Sequence, residues 1–111
     1  YHMREKVVAI FKNYIPSSMV EYDDKENFLS WELTENEFRN LWKMEIIEKL
    51  SRECDLKINR FEDTDFIGHN LKKAHEIISK DSLLRDVPEL QKLKSFFEDG
   101  IKRNTGVYFS F

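Results

Sequence analysis

Residues that usually announce chemistry or compartment are scarce in this chain. Cys54 is the single cysteine in 111 residues, which excludes an internal disulfide framework and any metal centre built on several thiolates. The three glycines, at 68, 100 and 106, are too scattered to form a phosphate-cradling loop, so nucleotide binding by that route is excluded. No apolar run approaches the roughly 18 residues of a membrane-spanning helix, and no secretion signal is recognisable, so a cytoplasmic, membrane-free protein is expected. The absence of Asn-x-Ser/Thr acceptors agrees with that compartment. With no internal repeat, no low-complexity tract and no Pro/Gly-rich linker, residues 3–111 are expected to form one globular domain. Tyr1 and His2, ahead of Met3, read as a cloning remnant.

Apolar and charged residues are plentiful. A hydrophobic content of 41%, with 14% aromatic residues, is enough for one packed core, and the 35% charged residues nearly cancel to a net charge of −3. That combination lies far from the composition of disordered chains.

Periodicity predicts an α+β fold. From Arg4 to Ile15, Val7, Ile10, Phe11 and Tyr14 recur at helical steps until Pro16, which predicts a first helix. Residues 19–23 and 28–33 alternate in part around the polar "DKEN", a pattern expected of a β-hairpin. Thr34 and Glu37 have the spacing of a capping box, predicting a helix that buries Phe38, Leu41, Trp42, Ile46 and Leu50 and runs to about Glu53. Over 55–61 a short strand and an extended connection fit equally well. Ile67, Leu71, Ala74 and Ile78 predict a third helix to about Lys80, its start marked by Asp63 to Asp65. Asp86, Pro88 and Glu89 predict the start of a fourth, with Gly100 placed to close it. The terminal "VYFSF", 107–111, predicts a strand whose partners would be the hairpin strands near 19–33, bringing the two ends of the sequence together. The expected architecture is a small antiparallel sheet packed against about four helices.

The basic pairs Lys72-Lys73 and Lys102-Arg103 are separated in sequence, and residues 57–103 carry ten Lys or Arg against nine Asp or Glu. Direct nucleic-acid binding is therefore not expected. His69 and His75, six residues apart, lie on different sides of a helix, which opposes a helical metal pair; His75 reads as a partly buried structural histidine. Cys54 reads as a small buried hydrophobe at a helix end where the dipole disfavours a thiolate. No catalytic, cofactor or metal site is expected.

The net negative charge is concentrated in one place. Residues 21–38, "EYDDKENFLSWELTENEF", set seven Asp or Glu against one lysine, for a net of −6, while residues 1–20 sum to +2, residues 39–56 to zero and the remainder to +1. Four aromatic rings are threaded through the same segment. Glu35 and Glu37 have a local explanation in the helix start. Glu21, Tyr22, Asp23, Asp24, Glu26, Trp31 and Glu32 remain as the candidate partner-binding residues, because clustered carboxylates beside rings suit a basic protein surface.

Short, mildly acidic, rich in Lys, Asn, Ile and Phe and without catalytic motifs, the chain resembles in general character the small bacterial immunity proteins that neutralise toxin nucleases. The resemblance implies a non-enzymatic inhibitor that covers the basic active site of a toxin nuclease. Two other classes fit the sequence: a regulatory or structural module that self-associates through a sheet edge, and a small hydrolase using His69 or His75. The sequence leaves the oligomeric state open.

Overall fold

A computed structural model of the chain describes residues 6–11, 28–58 and 63–111. Among them, strands Val7–Phe11 (β1), Phe28–Glu32 (β2), Thr64–Ile67 (β3) and Gly106–Ser110 (β4) form one antiparallel sheet in the order β2-β1-β4-β3. Helices Glu35–Lys43 (α1), Ile46–Glu53 (α2), His69–Ser79 (α3) and Pro88–Arg103 (α4) complete the described elements. The fold is α+β, as the sequence predicts.

Where the first helix was expected, residues 7–11 form a strand instead. Consecutive apolar residues fit a central strand as well as a helix, since a strand flanked on both sides can bury both faces. β1 is such a strand: Val8 and Ile10 belong to the main core, whereas Ala9 and Val7 cluster with Tyr108 apart from it. Its neighbours are β2, in the register Val7↔Glu32 to Phe11↔Phe28, and β4, from Val7↔Ser110 to Ile10↔Val107. The expected hairpin is corrected accordingly, because β2 pairs with β1; residues 19–23 lie outside the described residues. The C-terminal strand is present, but its partners are β1 and β3 rather than β2. The expected meeting of the two ends of the sequence is thus made by β1 and β4.

The helix expected from Thr34 to Glu53 is two helices, separated at Met44 and Glu45, where Met44 has extended backbone (φ −75°, ψ 151°). At 100° per residue, the direction of Ile46, Ile47 and Leu50 would lie roughly 155° from that of Phe38 and Leu41 on one straight helix. The break lets all five side chains be buried.

Residues 64–67, expected as polar connection and helix start, form β3: Thr64 and Phe66 are buried and Ile67 is 59% exposed. Gly68, with φ +57° and ψ −126°, then turns the chain into α3. No strand or helix covers 55–58, and 59–62 lie outside the described residues.

Pro88 does open α4, but its N-cap is Val87, without a side-chain cap, so the expected Asp86 cap is not made. Nor does Gly100 close the helix. It is buried where α4 crosses Leu71 and Val107, and a Cβ there would stand 3.1 Å from Val107 Cγ2 and 3.4 Å from Leu71 Cδ1. Asn104, left-handed at φ 55° and ψ 45°, ends the helix in its place.

The core lies between helices and sheet. Phe66, Phe97 and Phe109 meet there with centroid separations of 4.9–6.0 Å. Phe111 extends the cluster to Phe38 at 5.2 Å and Trp42 at 6.2 Å.

Candidate functional site

The described half of the acidic segment is held in place by β2 and the start of α1. β2 is an edge strand of the described sheet, and alternation along it sends Trp31 into the core and leaves Ser30 and Glu32 exposed. Trp31, expected to contact a partner, is 4% exposed. Its ring packs 5.9 Å from Phe96 and lies under the Lys92 ammonium at 4.7 Å. Glu21, Tyr22, Asp23, Asp24 and Glu26 lie outside the described residues; the sequence runs from them directly into β2.

Thr34 caps α1 as its sequence predicts. The Glu37 N–H donates to Thr34 Oγ1 at 3.1 Å, and the Thr34 N–H donates to Glu37 Oε1 at 2.9 Å. The backbone N–H of Thr34 holds the Glu37 carboxyl below its ordinary value, with a smaller contribution from the Lys92 charge, against an opposing effect of burial. Glu32 and Glu35 are exposed. Among the described residues they enter no ion pair; the pairs present are Arg52–Glu53, Lys80–Glu76, Lys94–Glu98, Arg103–Asp99 and, with a protonated imidazole, His75–Glu98. Glu32 and Glu35 are therefore not consumed by cations among the described residues.

His69 is exposed as the first residue of α3. His75 is half-buried, with Nε2 3.8 Å from Glu98 Oε1 across the α3–α4 contact. Cys54 is buried at 4% exposure with Sγ 4.0 Å from the Asn70 carbonyl, and burial pushes its thiol pKa up, the direction that favours an inert thiol. Among the described residues, no three His, Cys, Asp or Glu side chains are placed to hold one metal ion, and no helix is long and apolar enough to cross a membrane.

A feature that sequence reasoning missed lies beside the helix break. A cleft of about 470 Å³ has Trp42, Met44, Ile47 and Ile58 among its lining residues. A second, of about 330 Å³, is lined by Asn40, Met44, Asp86, Val87, Pro88 and Glu89. Met44 lines both. The signal in the sequence was the change in direction of the apolar stripe between Leu41 and Ile46, which requires a corner.

No family model matches the chain, and no curated protein matches it. Among solved structures, its fold is similar to that of a Neisseria DNA mimic protein, DMP12, with a TM-score of 0.62 and 17% sequence identity over 97% of this chain and 100% of that one. At that identity the likeness is one of fold.

Proposed function

We propose that this chain is a non-enzymatic binding domain that presents its acidic segment to the basic surface of a DNA-binding protein, where it takes the place of nucleic acid. The observation that carries this reading is the confinement of negative charge. Residues 21–38 hold a net of −6 in a chain whose remaining residues sum to +3, and Glu32 and Glu35 are exposed and enter no ion pair among the described residues. A dense row of carboxylates offers a phosphate-binding surface the charge it is built for, and its field speeds encounter. The similarity of fold to a DNA mimic protein supports the same direction.

Glu21, Asp23, Asp24, Glu26 and Glu32 are the proposed charged contacts and Tyr22 an aromatic one. Trp31, buried beneath Lys92, serves as the platform on which that end of the surface rests. In its finer form the partner is a nuclease whose active site is covered, as an immunity-type inhibitor would do.

The test is retention of heparin-binding bacterial proteins on the immobilised chain, followed by elution with duplex DNA. Proteins released by DNA should be DNA-binding, and a chain carrying Asp23→Lys, Asp24→Lys and Glu26→Lys should lose them. Equal retention by that variant would remove the acidic segment from the account. Inhibition of a retained nuclease would support the finer form, whereas a retained protein without nuclease activity would leave only the broader one.

A further inference from the structure

We propose that the groove at the α1–α2 corner is a second docking surface, which seats a flexible basic segment of the partner carrying both an apolar side chain and a Lys or Arg. This rests on the reading of a basic protein partner given above and adds a place on this chain where part of it binds.

The groove has two halves with different chemistry. On the α2 side the lining is apolar at its centre, with Trp42, Met44, Ile47 and Ile58, while Glu45 and Glu48 are balanced by Lys43 and Arg52 among the lining residues. Lys49 adds a third cation in a smaller adjoining pocket that it lines with Glu45, Glu48 and Arg52. That half attracts no ion of either sign strongly, but it can take an apolar side chain. On the α4 side Asp86 and Glu89 are the only charged lining residues among those described. Neither enters an ion pair among the described residues, and Glu89 accepts only the Asn40 side-chain amide, at 3.1 Å. Two carboxylates with no cation among the described lining residues, beside apolar Val87 and Pro88, suit the head and stem of a Lys or Arg. Met44 lies in both linings, so one ligand segment can occupy both halves. An apolar anchor with a flanking cation also follows the usual division between contact energy and electrostatic selection at an interface.

The experiment follows amide shifts of the full ¹⁵N-labelled chain during titration with an acetylated Lys-Leu-Lys-Lys-Leu-Lys peptide, with hexalysine as control. Shifts should concentrate at residues 42–48 and 86–89. Hexalysine, which lacks the apolar anchor, should bind there at least about tenfold more weakly, because the burial of a Leu side chain is lost. Asp86→Lys with Glu89→Lys should lower peptide affinity about tenfold, and Met44→Ala several-fold, the spread of the remaining amide signals showing that each variant is folded. Shifts confined to residues 21–38, or affinities within twofold of wild type in both folded variants, would overturn the groove assignment. The same shifts confined to 21–38 would leave the acidic-segment reading standing, so the two fail separately.

Discussion

Thr34 and Glu37 tie the candidate surface to the start of α1 by two reciprocal backbone bonds, and Thr34→Ala should cost about 1 kcal/mol in denaturant unfolding. Glu37 adds a pH dependence whose sign follows from its lowered pKa. A carboxyl lowered in the folded state stabilises above its unfolded pKa, and that contribution is lost as pH falls through the folded value. The stability difference between wild type and Glu37→Gln should therefore be present at pH 7, shrink below an ordinary value near 4.5, and vanish in stronger acid. A constant difference across that range would show that the carboxylate charge contributes nothing. Cys54, buried with a raised thiol pKa, should react with iodoacetamide far more slowly in the folded chain than in urea. Gly100 offers a contrast with helix propensity. Alanine is ordinarily the better helix former by about 1 kcal/mol, yet overpacking by a methyl group 3.1 Å from Val107 Cγ2 should outweigh that gain and leave Gly100→Ala net destabilising by up to ~2 kcal/mol, read from the shift in unfolding midpoint.

Elements were legible where a local signal and the tertiary context agreed. The capping box at Thr34, Pro88 at the head of α4 and the aromatic terminal strand all carry such signals, and all are present. β1 was misread because "VVAIF" satisfies a helical stripe and a doubly buried strand alike, and only its pairing with both β2 and β4 decides between them. β3 was missed because Asp63 and Asp65 resemble a helix start, although Thr64 and Phe66 are buried in alternation. The candidate site was legible as charge, since composition alone shows where the carboxylates concentrate. Its geometry was not: the burial of Trp31 depends on Phe96 and Lys92, distant in sequence. β2 and β3 are the edges of the described sheet, and Ile67 stands 59% exposed on one of them. If self-association through that edge is the chain's role, Ile67→Lys should convert a concentration-dependent oligomer to monomer in sedimentation velocity. Under the binding-domain reading, the wild-type chain shows no such concentration dependence.

A segment of net −6 in a chain otherwise summing to +3 gives a directed field, and fields of exposed charges decay over a Debye length of about 8–10 Å at physiological salt. Association with a basic partner should therefore slow as salt is raised, while the apolar part of the contact persists and limits the loss of affinity. The most direct measurement is competition for the partner's DNA site. A DNA-binding protein retained by this chain is saturated with a fluorescent duplex, and the chain is titrated in while anisotropy is followed. Displacement of the duplex by wild type, lost in the chain carrying Asp23→Lys, Asp24→Lys and Glu26→Lys, is the predicted result. A ternary complex in which the duplex stays bound at saturating chain would contradict the claim that the acidic segment occupies the place of nucleic acid.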